Sequence, residues 1–266
     1  MAPFILGGFF LLFLIIASLS SSLFNPRIFL NSLYPTDSEW SSADATWYGS
    51  PEGAGSDGGA CGYGSDVEKT PFSSMIAAGG PPIYNSGYGC GSCYQVMCTS
   101  NPACSGSPVS IVITDECVGC GSTQRFHFDL SGTAFGAMAI SGQADLLRNV
   151  GKLEIQYKRI QCNYGGKPIA FKVDAGSNPY YFAVLIEYEN GDGDLSIVEL
   201  KQANSEQWQA MQLNSGATWK LNAAIPLQAP FSIRLTTFES KKTLEAINVI
   251  QAGWSPGQIY QSSVNF

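Results

Sequence analysis

The sequence predicts a protein dominated by β-structure and divided into two domains, and three observations support this fold class. All eight cysteines fall within residues 46–162, in a stretch that is also rich in glycine. Residues 168–266 contain no cysteine and consist of short β-type runs separated by turn signals. Helical patterns are few and short. The change of composition after Cys162 therefore marks a domain boundary, with residues 163–167 as the linker.

The chain begins with an apolar segment. Residues from Phe4 to Ala17 form an almost unbroken apolar run, and small residues follow at 18–22. This arrangement is typical of a signal peptide, which we assign to residues 1–20. A membrane anchor is the alternative, but a spanning helix needs about 20 apolar residues and this run ends sooner. We expect a secreted, extracellular chain without a membrane span, in which residues 21–45 form a loose leader.

The first domain, residues 46–162, has the sequence pattern of strands and loops with a few helices. A glycine-rich domain of this size buries a modest core, and disulfides at roughly 2 to 4 kcal/mol each would supplement it. The β-type runs include Val109–Thr114 and Leu153–Tyr157, and the helix candidates are Ser131–Ala139, Gly142–Arg148 and a weaker one at Pro71–Ala78.

An even number of cysteines in a secreted chain indicates a disulfide framework. Spacing alone leaves the pairing open. The alternative is a zinc site built from two Cys-x-x-Cys pairs, Cys90 with Cys93 and Cys117 with Cys120. We favour disulfides, because oxidised cysteines do not bind zinc.

The second domain, residues 168–266, has the pattern of a β-sandwich. Short strands with regular turns, such as the turn at Asn190–Gly193, recur over about 100 residues, which is typical of that architecture. The strand-like runs are Ile169–Val173, Tyr180–Tyr188, Leu195–Leu200, Trp208–Leu213, Phe231–Thr237 and Thr243–Ile250.

Composition excludes several classes of function. Lys and Arg number 14 and Asp and Glu 21, giving a net charge of −7 and a pI near 4.7 without any block of like charges. Because there is no basic patch, we expect no nucleic-acid partner. The chain has a single histidine, His127, which excludes a metal site built on several imidazoles. We expect no metal and no other cofactor.

The segment Phe126–Ser131 contains the strongest candidate for chemistry. If it is a strand, His127 and Asp129 share one face. A carboxylic acid packed against the flanking aromatic rings loses solvation and can hold a proton for donation to a leaving oxygen. The structural alternative is that Asp129 caps the following helix and His127 is a packed residue. Asp115, after another β-type run, would either face the same groove or begin a turn.

Polysaccharide chemistry connects these residues to the start of the domain. Cleaving a glycosidic bond usually needs an acid and a second carboxylate, and neutral sugars are held by flat aromatic faces and hydrogen bonds. Trp47 and Tyr48 would supply such faces beside the Thr46 hydroxyl. The alternative is that both rings belong to the core, which is common for aromatic residues in small domains.

Several motifs occur in one order along the chain, and together the chain resembles the expansins. The resemblance covers nearly all of residues 46–266, and HFDLSGTAFGAMA with Gly53-Ala54-Gly55 is more similar to β-expansins than to α-expansins. The motifs are TWYG (46–49), GGACGYG (58–64), GCGSCY (89–94), TDEC (114–117), HFDLSG (127–132), NPYY (178–181), GATW (216–219) and PFSIRL (230–235).

The resemblance implies a fold and a set of disulfides. The fold is a six-stranded double-psi β-barrel, similar to family 45 glycoside hydrolases, followed by an Ig-like β-sandwich carbohydrate-binding module of family 63. The implied pairs are Cys61 with Cys90, Cys93 with Cys162, and Cys98 with Cys104. The remaining two cysteines, Cys117 and Cys120, would form a fourth pair.

The resemblance also implies a polysaccharide groove without a complete hydrolytic apparatus. Its matching residues are Thr46, Tyr48, Asp57, Asp115 and Asp129, with Asp129 at the position of the hydrolase's acid. The hydrolase's base would lie where this chain has Tyr48-Gly49-Ser50, and no carboxylate is present there. General-base help is worth about 10² to 10⁴ in rate, so hydrolysis should be very slow. The implied protein is not an enzyme and loosens non-covalent contacts between wall polysaccharides.

In the second domain, Tyr181 and Trp219 match aromatic residues that form a flat sugar-binding face in related modules. Related chains often carry Trp where this chain has Ser215. The implied partners are cell-wall polysaccharides, namely cellulose and arabinoxylan or other matrix glycans, and the expected form is a monomer in the cell wall. Two other readings remain: an endoglucanase with Asp115 or Asp57 as base, and a carbohydrate-binding protein without loosening activity.

Overall fold

The computed structural model describes residues 39–120 and 125–266. The predicted signal peptide, 1–20, and the predicted leader as far as residue 38 lie outside these described residues. Within them, no helix combines the length and the apolar character that crossing a bilayer requires. The described strands form one closed barrel and two further sheets.

Six strands close into a barrel. They are β1 (Ser41–Tyr48), β2 (Ile76–Gly79), β3 (Cys93–Met97), β4 (Val109–Glu116), β5 (His127–Ser131) and β6 (Leu153–Ile160). Their order around the barrel is β1-β5-β2-β4-β3-β6, and β6 pairs back onto β1. β1 runs parallel to β5, and β2 runs parallel to β4. Side chains alternate between the interior and the outer surface along each strand.

Strand β1 starts inside the segment predicted to be a loose leader. Ala43 and Ala45 are fully buried in the barrel, whereas Asp44 lies on the outer face between them. The predicted leader is therefore wrong from residue 41 to residue 45. Small residues such as Ser and Ala have little β-propensity, so pairing with β5 and β6 makes this segment a strand.

Among residues 39–120 and 125–266, the α-helices are α1 (Pro81–Tyr84), α2 (Gly132–Ala137) and α3 (Ala144–Arg148). The last two confirm the predicted helices at 131–139 and 142–148 in shortened form. The helix predicted at Pro71–Ala78 is wrong, because residues 71–74 form a turn and β2 follows. β2 is buried along its whole length between β4 and β5, and such a strand lacks the alternation that reveals a half-buried one.

The barrel interior is packed with aromatic rings. Tyr94, Phe128 and Tyr157 contact one another with ring centroids 5.2 to 6.2 Å apart. Four disulfides reinforce this domain: the three pairs that the resemblance implies and the fourth pair expected from the two remaining cysteines. The structure joins Cys61 to Cys90, Cys93 to Cys162, Cys98 to Cys104 and Cys117 to Cys120.

The second domain is a sandwich of two antiparallel sheets, as predicted. The strands are β7 (Ala170–Val173), β8 (Tyr181–Glu187), β9 (Leu195–Lys201), β10 (Gln209–Ala210), β11 (Gln212–Ser215), β12 (Thr218–Asn222), β13 (Phe231–Thr237), β14 (Thr243–Ile250) and β15 (Ile259–Gln261). One sheet has the order β10-β9-β13-β14 and the other β11-β12-β8-β7-β15. The run predicted at 208–213 is divided at Met211, which is buried between the sheets.

The barrel and the sandwich share an apolar cluster. Phe72 of the barrel stacks among Tyr63, Tyr164 and Tyr188, with ring centroids 5.4 to 5.9 Å apart. Leu185 of β8 belongs to the same cluster. Because Tyr188 and Leu185 come from the sandwich, apolar packing joins the two domains.

Polar contacts cross the same junction. Cys162 exchanges two backbone hydrogen bonds with Gly191, at 2.7 and 3.1 Å. The guanidinium of Arg159, at the end of β6, pairs with the carboxylate of Asp194 at 2.6 Å, and both side chains are buried. Nη2 of Arg159 also donates to the carbonyl oxygen of Asp192 at 3.0 Å. The junction is therefore fixed by a buried ion pair as well as by ring packing.

Candidate functional site

The parallel strands β1 and β5 bring the predicted site residues together on the outer face of the barrel. Thr46 is in register with Asp129, and Asp44 is in register with His127. The segment 127–131 is a strand, so His127 and Asp129 lie on one face as the alternation predicts. Asp44 extends this face with ion pairs to Arg125 at 2.6 Å and to Lys152 at 3.1 Å.

A chain of hydrogen bonds orients the Asp129 carboxylate. The Thr46 hydroxyl donates to Asp129 Oδ1 at 2.5 Å, and Thr46 Oγ1 lies 2.8 Å from His127 Nε2. A hydroxyl has one proton, and Thr46 uses it on Asp129, so His127 donates its Nε2–H to Thr46. Burial lowers the pKa of His127, although the neighbouring Asp129 opposes that shift, which favours a neutral ring. His127 and Thr46 therefore hold Asp129 in one orientation.

The second carboxylate, Asp115, lies on the other side of β2. Ala78 is in register with both Asp115 and Asp129, so the two acids stand two strands apart, or about 9.6 Å between backbones. Asp115 Oδ1 accepts hydrogen bonds from the backbone N–H groups of Ala60 at 2.6 Å and Glu116 at 2.7 Å. Asp115 Oδ1 thus anchors the loop at 49–62 to the groove.

The hydroxyl of Tyr48 is buried and makes no hydrogen bond to the described residues. Burial raises the pKa of Tyr48, and the negative charges of Asp115 and Asp129 raise it further. The phenol therefore stays protonated and keeps a hydrogen-bond donor that no described residue uses.

The loop after β1 fits closely around this ring, a feature that sequence reasoning missed. A methyl group built on Gly55 would stand 2.3 Å from Cε2 of Tyr48, and Gly55 has a φ of +88°. Gly55 is therefore the residue that lets the loop cover Tyr48. The only sequence signal was the Gly53-Ala54-Gly55 stretch, which indicates flexibility but not a contact. Asp57, also predicted for the groove, is exposed on this loop.

Three expectations about the groove residues need correction. Phe126 and Phe128 lie in the barrel core, on the face opposite to Asp129, so the carboxylate is surrounded by hydroxyl and imidazole groups and not by those rings. The cap of α2 is Ser131, whose Oγ accepts from Ala134 N–H at 3.0 Å, and not Asp129. The third of these residues, Trp47, packs against the barrel core.

Trp47 was expected to offer a flat face to sugar. Along β1 it alternates with Thr46 and Tyr48, so its side chain packs against the barrel core on the other face. Its ring contacts Phe135 with centroids 6.4 Å apart, and its Nε1–H donates to the Arg148 carbonyl oxygen at 2.9 Å. Trp47 is a structural residue, as the core alternative states.

In the sandwich, only one of the two predicted aromatic residues is on the outer surface. Tyr181 is half-buried and lies on the outer face of its sheet, in register with Asn222. Trp219 is 4% exposed, packs in the core between the sheets and contacts Tyr88 of the barrel. The expectation that Trp219 stacks on sugar is therefore wrong. Ser215, where related chains often carry Trp, is exposed at the end of β11.

The architecture and the site together define a class of protein. A closed six-stranded barrel presents oriented carboxylates and a buried phenol on its outer face, and a sandwich with a surface tyrosine follows it. Oriented carboxylate oxygens and an aromatic face suit the hydroxyl groups and rings of sugars. The class is that of two-domain proteins that bind polysaccharides.

Comparison with known proteins gives the family. Residues 169–250 match the model described as the expansin C-terminal domain, and residues 76–157 match the model described as lytic transglycolase. The chain is 58% identical to putative expansin-B2 of Arabidopsis thaliana over 91% of this chain and 89% of that protein. It is 55% identical to expansin-B11 of Oryza sativa subsp. japonica, over 85% of this chain and 78% of that protein.

The chain therefore belongs to the expansin family, and the relatives that it matches at this level are expansin-B proteins, the β-expansins. Among solved structures, the fold is similar to that of the apo expansin of Clavibacter michiganensis, with a TM-score of 0.65 at 21% identity over 85% of this chain and 98% of that one. A mutant of that expansin in complex with cellohexaose matches with a TM-score of 0.64, also at 21% identity, over 85% of this chain and 98% of that one.

Proposed function

We propose that this chain is a secreted β-expansin that loosens plant cell walls by binding their polysaccharides and disrupting non-covalent contacts, without cutting glycosidic bonds. The observation that carries the proposal is the state of the carboxylates. Asp129 is oriented as an acid would be, but Tyr48-Gly49-Ser50 provides no base, and Asp115 is engaged with two backbone N–H groups. An inverting hydrolase needs a second carboxylate that is free to activate water.

Binding by the groove uses groups that the fold leaves available. Asp129 is partly exposed, and its carboxylate accepts a hydrogen bond from a sugar hydroxyl. A hydrogen bond to a charged group contributes about 1.5 to 3 kcal/mol, so Asp129 is the largest single polar contribution. Tyr181 adds an aromatic face on the sandwich.

The proposed partners are cellulose and matrix glycans such as arabinoxylan, bound by a monomer in the cell wall. Support comes from the mutant bacterial expansin in complex with cellohexaose and from membership of the β-expansins. The chain's net charge of −7 gives no electrostatic attraction to acidic pectin, which favours neutral glycans as partners.

Substitution of the groove carboxylate tests the proposal. Asp129→Asn keeps the size of the side chain and removes the charge, so we expect at least about a tenfold loss of wall creep under load, since one charged hydrogen bond is worth 1.5 kcal/mol or more. Binding to cellulose through the sandwich should remain. Full creep activity in Asp129→Asn would contradict the role given to this residue.

The positions of Asp115 and Asp129 support a second candidate function, that of an endoglucanase. Asp115 and Asp129 lie on either side of Ala78, and an inverting glycosidase likewise places two carboxyl groups, about 6.5 to 9.5 Å apart, across its groove. An endoglucanase would use Asp115 as base. Asp115→Asn distinguishes the two, because a base would be needed for release of reducing ends, whereas an anchor of the loop at 49–62 would affect binding alone.

A further inference from the structure

One disulfide of the barrel differs from the other three. Cys117 and Cys120 are separated by three positions, whereas the other pairs are separated by 6, 29 and 69. The stability gained from a cross-link grows with the loop it closes, so this bridge contributes least to folding. Cys-x-x-Cys is also the spacing of thiol pairs that cycle between the oxidised and reduced forms. We therefore expect the fold to survive opening of this bridge.

Access to the bridge is better than to the long-range bridges. Val118, between the two cysteines, is 86% exposed, and Cys120 is partly exposed. The four cysteines of the two long-range bridges are buried, with exposures of 0 to 6%. A thiol reductant in solution thus meets Cys120 before it meets these four residues.

The two sulfur atoms lie beside potential metal ligands. Sγ of Cys117, Sγ of Cys120 and a ring nitrogen of His127 all lie within 4.8 Å of one another. Tetrahedral zinc with Zn–S bonds of about 2.3 Å sets its ligand atoms about 3.8 Å apart, so a small adjustment would bring the three to bonding distance. Oδ2 of Asp129, 3.8 Å from Sγ of Cys117, is suited to the fourth position.

We propose that reduction of the Cys117–Cys120 bridge creates a site for one thiophilic divalent cation, Zn²⁺ or Cd²⁺, held by Cys117, Cys120 and His127 with Asp129 as the fourth ligand. Two thiolates and an imidazole are the donor set that these cations prefer. The site is latent while the bridge is closed, because disulfide sulfur atoms are not metal ligands. It differs from a four-cysteine zinc site, since Cys90 and Cys93 remain in their own bridges.

The chemistry balances with a dithiol as reductant. The dithiol gives two electrons and two protons to the bridge, its own sulfur atoms join in a disulfide, and Cys117 and Cys120 become thiols. Each thiol loses its proton when it binds the cation. Because Asp129 then ligates the cation, the polysaccharide groove loses its charged acceptor, and metal binding and sugar binding through Asp129 exclude each other.

The experiment uses the full secreted chain and Cd²⁺ as probe. Graded treatment with dithiothreitol, followed by alkylation and mass spectrometry, identifies which bridge opens first. After removal of the reductant, Cd²⁺ titration is followed by the ultraviolet thiolate-to-metal absorption. We expect Cys117 and Cys120 to be the first residues labelled, one Cd²⁺ bound per reduced chain and none per oxidised chain.

Three variants separate the site from unspecific thiol binding. Cys117→Ser with Cys120→Ser should abolish binding, whereas Cys98→Ser with Cys104→Ser should leave it intact. His127→Gln keeps the bridge and should weaken Cd²⁺ binding by about tenfold or more. The proposal is overturned if the reduced chain binds no Cd²⁺, if binding survives loss of Cys117 and Cys120 or is unchanged in His127→Gln, or if another bridge opens first.

Discussion

Carboxylates of the barrel groove and carboxylates of the junction between the domains are stabilised in different ways. In the groove, Asp129 accepts a hydrogen bond from a hydroxyl and Asp115 accepts two from backbone N–H groups, and both remain partly exposed. At the junction, Glu187 and Glu189 are only 2% and 4% exposed. Oε1 of Glu187 has no hydrogen-bond partner among the described residues.

The buried carboxyl groups at the junction have raised pKa values. Burial raises the pKa of Glu187 to about 7, and burial raises the pKa of Glu189 to about 8. Asp194 is also raised, to a pKa of about 6, by burial that its ion pair with Arg159 only partly offsets. The buried carboxyl groups of Glu187 and Glu189 are therefore more stable when protonated, whereas Asp194 has the guanidinium of Arg159 as its partner.

Removal of the guanidinium of Arg159, which is buried at the junction, should produce the largest effect. Arg159→Met leaves Asp194 as an uncompensated buried charge, which typically costs about 3 to 5 kcal/mol. The measurement is the free energy of unfolding in urea at pH 7. Arg234→Met is the matched control, because Arg234 pairs with Glu199 on the sheet surface and such pairs contribute about 0 to 1 kcal/mol. Equal losses in the two variants would contradict the distinction.

The aromatic residues of the sandwich give the next comparison. Trp219→Ala removes a core ring and should lower the free energy of unfolding by about 3 to 5 kcal/mol. Tyr181→Ala should change stability by less than about 1 kcal/mol and reduce cellulose binding instead. Pull-down on cellulose and urea unfolding of the same preparations check both. A binding defect in folded Trp219→Ala that exceeds that of Tyr181→Ala would restore Trp219 as a sugar contact.

The pH dependence of stability tests the junction directly. Unfolded Glu ionises near its ordinary pKa, about 4.5, whereas native Glu187 and Glu189 keep their protons until about 7 and 8. Between these limits the native state binds more protons, so stability falls as pH rises from about 4.5 to 8. We expect a loss of about 3 kcal/mol from Glu187 alone, measured as the free energy of unfolding against pH.

Glu187→Gln is the control for this pH dependence. It removes the ionisation and should flatten the dependence by a comparable amount, while other groups retain their contributions. A pH dependence that is identical in the variant would show that Glu187 ionises in the native state without a penalty.

The smallest effect is expected in the loop that covers Tyr48. Gly55→Ala introduces a methyl group against the Tyr48 ring at a positive φ and should cost about 1 to 3 kcal/mol of stability, with weaker polysaccharide binding. Gly58→Ala is the matched control, because its new methyl group meets nothing closer than 3.4 Å and its φ is not positive. The pair should differ in binding as well as in unfolding.

Much of the fold followed from the sequence, because strong local patterns coincide with it. The strands predicted at 231–237 and 243–250 match β13 and β14 in both limits. β1 and β2 did not follow, since short polar or fully buried strands depend on partners distant in the chain. Their register, which sets Asp115 and Asp129 on either side of Ala78, is a property of the folded barrel.

The sequence identified most of the residues that form the site, but it did not predict the contacts that surround them. The one-face arrangement of His127 and Asp129 follows from strand alternation alone. The hydrogen bond from Thr46 joins residues 83 positions apart, and no local pattern reveals it. For Trp219 a local motif was present but led to a wrong prediction. The motif gives the residue type but not the side of the sheet that the residue faces.

The central claim is that the groove grips polysaccharide and does not cut it. The most direct test applies the protein to heat-inactivated grass cell wall under constant load, and records both extension and the reducing ends released from the same specimen. We expect creep with no reducing ends above the control without protein. Creep that is accompanied by a proportional release of reducing ends would contradict it and favour the endoglucanase.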